Sequence, residues 1–361
     1  MIYALYLFLM TVLLLELALR IYNPFHFRLK GDHILLETNK TYLVENKDIP
    51  GIDRNILHRR NALGFRGPEK PGSFNRFLSL LTVGGSTTEC PYISEGKTWS
   101  DLLYGKMKND FDSVWLNNAG LAGHSTFGNL ALMKDYVIPL KPSLVIFMEG
   151  ANDVGRDDLT ESDKANMPDR YHNIFTFLSK KTELGNLVSN LVKKRKAVIH
   201  QLADHYINLE TADSLMLKEQ SIREQLSLQL RFVQGFENRM NELISLSVKN
   251  GMLPILITQP SLFGPAVDSL TGRRLENVRI TDHLNGELWW KELELYNDVT
   301  RKLASQHKLL LVDLAADMPK SSLYFYDLVH FTNKGSEFVS GLIYQRLKEY
   351  LASKYPTHQK K

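Results

Sequence analysis

The 361-residue chain has a single cysteine, Cys90, so no internal disulfide can staple it and no cysteine cluster can hold zinc. It lacks an excess of one charge. With 44 basic and 40 acidic residues the formal net charge is +4, too balanced for a nucleic-acid-binding surface. The local basic runs Lys193-Lys-Arg-Lys and Gln359-Lys-Lys read as solvated faces. There is no internal repeat and no low-complexity tract. A hydrophobic fraction of 43% with 23% charged residues excludes a largely disordered chain. No histidine–carboxylate set has metal-ligand spacing.

Long apolar runs are scarce too, and the one that stands out opens the chain. Ile2 to Leu19 is interrupted only by Thr11 and Glu16. At about 1.5 Å per residue such a helix reaches roughly 27 Å, close to the ~30 Å of a hydrocarbon core. No basic region precedes it and no small-x-small site follows, so the expectation is a single membrane anchor over residues 1–21 rather than a cleaved signal peptide. Arg20, Arg28 and Lys30 lie after the run and none before it, which by the positive-inside rule favours a cytoplasmic body.

Residues 22–75 are polar, with prolines at 24, 50, 68 and 71, and read as a juxtamembrane linker packing on the domain that follows. Within them Asn61-Ala-Leu-Gly-Phe-Arg-Gly is a compact turn-like stretch. Five short apolar runs follow: Phe77–Val83, Val114–Asn118, Leu144–Met148, Leu253–Thr258 and Leu309–Val312. Consecutive apolar positions suit strands buried on both faces of a parallel sheet. Helical periodicity over Phe236–Val248 and Leu293–Ala304 precedes the later strands, so the pattern predicts a doubly wound α/β sheet. About a hundred residues separate the third and fourth runs, where a dozen would suffice for a crossover. Residues of about 157–230 are therefore expected to be a helical insertion, and about 263–289 a second one.

The stretch around which the rest is organised is Leu78–Cys90, in which an apolar run meets Gly84, Gly85 and Ser86. That places Ser86 in a tight turn at the carboxyl end of a strand, where open α/β sheets hold their sites. After the second run comes Asn117-Asn-Ala-Gly-Leu-Ala-Gly-His-Ser-Thr, where Gly123 allows close backbone approach and offers an N–H. After the third comes Glu149-Gly-Ala-Asn-Asp, with Asn152 presenting a side-chain amide, and before the last helix comes Asp327-Leu-Val-His. A serine needs a base to become a nucleophile, histidine is suited to that near neutral pH, and an aspartate can fix the imidazole tautomer. Backbone N–H groups with an asparagine amide suit a developing oxyanion.

In this order and context Ser86, Gly123, Asn152 and His330 resemble the SGNH (GDSL-like) hydrolase superfamily. Gly84-Gly-Ser-Thr is similar to its Gly-Asp-Ser block, with Gly85 where aspartate is usual; Gly150-Ala-Asn-Asp and Asp327-x-x-His330 resemble two further blocks. The resemblance covers Arg76 to about Leu351, within a domain spanning 76–355. It implies a three-layer α/β/α sandwich with a mainly parallel five-stranded sheet, Ser86 as nucleophile, His330 as base and Asp327 as orienting acid. It also implies an oxyanion hole from Ser86 N–H, Gly123 N–H and the Asn152 amide, with no cofactor and no metal. The apolar start ending Glu16-Leu-Ala-Leu-Arg, with Leu63-Gly-Phe-Arg-Gly, is similar to membrane-anchored bacterial members, which are generally exported. That points to an extracytoplasmic body, against the charge rule.

Other residues have plainer readings. Asp153 is expected to brace its turn, Cys90 to be a small buried residue and Trp289-Trp290 to cover the core, while His124 is either a substrate contact or a solvent-facing loop residue. The function expected is a membrane-anchored serine esterase acting on an O-acyl glycan or a lipid ester through an acyl-enzyme on Ser86. An O-acyltransferase using the same triad on envelope or extracellular glycans is the alternative, and a non-catalytic glycan- or protein-binding module the third.

Overall fold

The computed structural model describes residues 2–22, 29–30, 33–34, 36–160, 163, 182–185, 187–188 and 206–360. The chain divides into two compact units, residues 1–37 with 161–203 and residues 38–160 with 204–361. In the first unit the apolar run is a helix, Ile2–Ile21, with mean hydropathy 2.3 and no buried residue, long and apolar enough to cross a membrane. Its one acid has polar partners. Glu16 pairs with Arg20 at 2.8 Å and accepts the backbone N–H groups of Glu183 and Leu184 at 3.0 Å each.

The second unit is built on the five apolar runs. They form β1 (Leu78–Gly84), β2 (Val114–Asn118), β3 (Leu144–Met148), β4 (Leu253–Ile257) and β5 (Leu311–Val312). All neighbours are parallel, in the order β2-β1-β3-β4-β5. Both faces of the sheet are covered. Leu78, Leu80, Ile146 and Ile255 share a core with Trp99, Leu103, Val339 and Ile343, while the alternating Leu81, Val83, Val145 and Phe147 are buried on the opposite face.

The helices named for these layers are α1 (Ser86–Glu89), α2 (Trp99–Asp110), α3 (Thr126–Leu132), α4 (Glu219–Lys249), α5 (Gly286–Gln306) and α6 (Asn333–Lys354). α2 packs with α6, and α3 and α5 pack with α4, giving the three-layer α/β/α sandwich that the resemblance implied. Side-chain caps start α2, α5 and α6: Thr98 accepts Asp101 N–H, Asn285 accepts Leu288 N–H and Thr332 accepts Gly335 N–H. Each such cap is worth about 1 kcal/mol. The chain leaves β1 for β2 on one side and then returns past it to β3, so the carboxyl ends of β1 and β3 flank the topological switch point.

Three features differ from the expected layout. α4 begins well before Phe236, so position 230 falls inside a helix of 31 residues; most of the expected insertion, with Lys193-Lys-Arg-Lys, lies outside the described residues. The stretch after Phe263 ends at Asn285, the cap of α5, and Trp289 and Trp290 therefore stand in that helix's first turns. Residues 40–60 carry an antiparallel hairpin, Lys40–Glu45 with Asn55–Arg60. Its second strand alternates strictly, with Ile56, His58 and Arg60 buried and Asn55, Leu57 and Arg59 exposed.

Candidate active site

β1 ends at Gly84, and Ser86 is the first residue of α1, so a tight turn delivers its hydroxyl at the sheet's carboxyl edge. His330 Nε2 lies 2.6 Å from Ser86 Oγ, and His330 Nδ1 lies 2.6 Å from Asp327 Oδ2. The other carboxylate oxygen accepts the backbone N–H groups of Val329 at 2.9 Å and His330 at 2.8 Å. Asp327 and His330 are thus held by a local carboxylate-centred turn rather than by a helix. Burial pushes the Asp327 carboxyl up, but the adjacent imidazole and these two N–H bonds more than offset it and hold its pKa below the usual carboxylate value. An ionised carboxylate can only accept, so Nδ1 carries the imidazole proton and Nε2 of the neutral ring turns its lone pair to the serine hydroxyl.

The loop after β2 is fixed against the same edge. Ala119 N–H bonds to Thr82 O at 2.9 Å and Leu121 N–H to Gly84 O at 3.1 Å. His124 N–H then bonds back to Leu121 O at 3.0 Å, closing a four-residue turn whose third position, Gly123, has φ +75°. That is the type II position, which favours glycine. From the end of β3, Asn152 Nδ2 donates to His124 O at 2.8 Å. The structure therefore brings together Ser86, His330 and Asp327 in one hydrogen-bonded chain, and joins the Asn152 amide to the turn that carries Gly123. The absent side chain at position 85 makes room for this: a Cβ there would stand 2.4 Å from Asn152 Nδ2 and 3.0 Å from His124 O.

Chemically, this arrangement offers a hydroxyl hydrogen-bonded to an oriented base. Beside it Tyr92, Ile93, Tyr326 and Phe331 pack closely. The Tyr326 ring stacks on the imidazole, with centroids 5.6 Å apart and planes inclined by 10°. Among the described residues no cluster of three or more His, Cys, Asp or Glu side chains is placed to hold a metal ion.

Asp153 is fully buried and joins Asn152's turn to α3. It accepts the Thr126 hydroxyl at 2.5 Å and its N–H at 3.2 Å, and it pairs with Arg239 of α4 at 3.2 Å. Burial pushes its pKa up to about 6, with Thr126 and Arg239 pulling the other way. His124 is buried, not solvent-facing. Cys90 is buried at the end of α1, with Sγ 3.3 Å from Thr87 O and its thiol pushed up to about 12 by burial. Trp289 packs on the core and donates to Ser261 Oγ at 3.1 Å.

Several residues that shape the site carried no role in the sequence. Arg66, almost wholly buried, donates to the carbonyls of Glu89 at 2.8 Å, Cys90 at 2.6 Å and Ile93 at 2.8 Å, holding the segment that leaves α1. Arg60 pairs with Glu89. Arg66 lay in a recognised turn, but no local pattern signals a contact to residues more than twenty positions away.

Solved structures similar to this chain include an α/β hydrolase from the metagenome of Lake Arreo, at 15% identity over 75% of this chain and 94% of that one, with TM-score 0.42. An acetylxylan esterase from Geobacillus stearothermophilus matches at 14% identity over 74% and 93%, with TM-score 0.42. A GDSL-like lipase from Bacteroides thetaiotaomicron matches at 15% over 79% and 93%, with TM-score 0.40. No family model matches the chain, and no curated protein matches it.

Proposed function

We propose that the protein is a membrane-anchored serine esterase. The observation that carries this reading is the continuous chain Ser86 Oγ, His330 Nε2, His330 Nδ1 and Asp327 Oδ2, with 2.6 Å at both links. His330 takes the hydroxyl proton as Ser86 Oγ attacks the ester carbonyl, and Asp327 stabilises the imidazolium that forms. The tetrahedral oxyanion is received by the N–H groups of Ser86 and Gly123 and by the Asn152 amide. His330 then returns the proton to the departing alcohol, leaving an acyl group on Ser86, and water activated by the same imidazole releases the acid.

The helix Ile2–Ile21 serves as the anchor, with the body outside the cytoplasm, so the ester belongs to an O-acylated glycan or a lipid at the membrane. The test is intact-mass spectrometry of the full chain in detergent after exposure to a fluorophosphonate probe, beside Ser86→Ala. One adduct present in the wild type and lost in the variant supports the reading. An unlabelled, folded wild type with no hydrolysis of aryl or glycosyl acetates rejects it.

A further inference from the structure

Glu89 is the last residue of α1, the helix that Ser86 opens, and it is buried, as are Arg60 and His58. One carboxylate oxygen receives Arg60 from the hairpin strand Asn55–Arg60, and His58 of the same strand stands 3.6 Å away. The other oxygen accepts the Ala122 backbone N–H at 2.5 Å. Ala122 is the second residue of the turn whose third is Gly123, so the Glu89 carboxylate grips the peptide next to a proposed oxyanion donor. The grip is reinforced from both sides. Asn118 Nδ2 donates to Thr88 O at 2.5 Å, and Gly120 sits so close that a Cβ there would be 2.4 Å from Glu89 N. Arg60 is itself fixed by a 2.9 Å bond to Gly64 O.

We infer that Glu89 is a positioning residue for the oxyanion hole: through Ala122 it sets where the Gly123 N–H points relative to Ser86, and Arg60 holds Glu89 in place. The inference rests on the esterase reading above. Both carboxylate oxygens accept from donors, so the site calls for an ionised, two-oxygen acceptor of this length. An amide at 89 must turn its NH2 towards either the Arg60 guanidinium or the Ala122 N–H. An aspartate keeps the charge but is one methylene too short to reach both partners. In either case the Gly123 turn loses its fixed register with the serine. A shift of about 1 Å at such a donor can cost roughly 100-fold in rate. The hairpin strand ahead of the sheet is thereby part of the catalytic apparatus.

The experiment compares Glu89→Gln and Glu89→Asp with the wild-type full chain in detergent, using p-nitrophenyl acetate hydrolysis and fluorophosphonate labelling. The expected result in each variant that folds is a kcat lower by roughly 10- to 100-fold, with KM within about twofold of wild type and the acid-side pH midpoint of kcat/KM unmoved. A merely structural role would lower the melting temperature and the active fraction while leaving turnover per labelled serine intact, and that result overturns the inference. So does wild-type kcat in either folded variant while the wild type hydrolyses the ester and takes the probe. A wild type that neither turns over nor labels overturns the esterase reading and this inference with it.

Discussion

Gly85 and Asn152 occupy one space between them: the position a Cβ would take at residue 85 is 2.4 Å from the Asn152 amide nitrogen. The backbone at 85 is extended, with φ −84°, so a side chain there is barred by its neighbour and not by backbone strain. Gly85→Ala is expected to fold, because the nearest atom it strikes is the end of a side chain and the His124 carbonyl, 3.0 Å away, needs to give by only a few tenths of an ångström. It should displace the amide, however, and lower kcat by roughly 10²- to 10³-fold, the usual loss for one oxyanion donor. Steady-state kinetics beside thermal unfolding checks both halves.

Ser86→Ala and His330→Ala should each reduce kcat by roughly 10⁴-fold or more, and the double variant should lose little beyond the worse single one, because the two groups act as a unit. Activity near the wild-type level in either single variant would remove the proposed nucleophile and base. Circular dichroism should show all three variants folded.

Asp327 predicts a pH dependence of stability. Its folded pKa is lowered, so its contribution is fully present above the ordinary aspartate value of about 3.9 and is lost as pH falls through the lower folded value. Asp327→Asn should flatten the melting-temperature curve in that acid range. It should also lower kcat by roughly 10⁴-fold at neutral pH, because an amide favours the wrong imidazole tautomer.

Asp153 works in the opposite direction. Its pKa is raised from 3.8 to about 6, so the folded state holds the proton more tightly and stability declines as pH rises between those values. Denaturant titrations of the wild type and Asp153→Asn at pH 4 and pH 7 should show the wild type losing ground relative to the variant at the higher pH. An unchanged difference would mean that Arg239 compensates the charge fully.

Arg66 offers a test of stability. Replacing it with Met removes the donor to three buried carbonyls, those of Glu89, Cys90 and Ile93. Cys90 O keeps the Ile93 N–H at 3.1 Å, and the loss of the guanidinium bonds together with the Glu95 ion pair should cost roughly 2 kcal/mol or more. Urea unfolding monitored by tryptophan fluorescence should show that loss in the midpoint.

The sheet was legible because its strands are short and largely apolar on consecutive positions, as strands buried on both faces are. Ser86, Asn152 and the Asp327–His330 pair stood out as polar residues at strand ends or just ahead of the last helix, and Gly123 as a glycine in the loop after β2. The hairpin strand Asn55–Arg60 was not. Its alternation is strict, but two of its three inward positions are His58 and Arg60, so a hydrophobicity pattern shows nothing. Their burial makes sense only once Glu89 is placed, and that partner lies 29 residues beyond Arg60. The early turns of α4 escaped for a related reason: several of their residues are exposed and polar, and the apolar spacing becomes regular only further along.

Ser86 and His330 are separated by 244 positions in the chain, with β2, β3, β4 and β5 made in between. Synthesis at about 5–20 residues per second puts roughly 10–50 s between the two residues leaving the ribosome's catalytic centre. Throughout that interval the serine has no base, and the nascent polypeptide carries an inert hydroxyl. The proposed nucleophile and its proposed base can therefore meet only after four further strands of the sheet have been made.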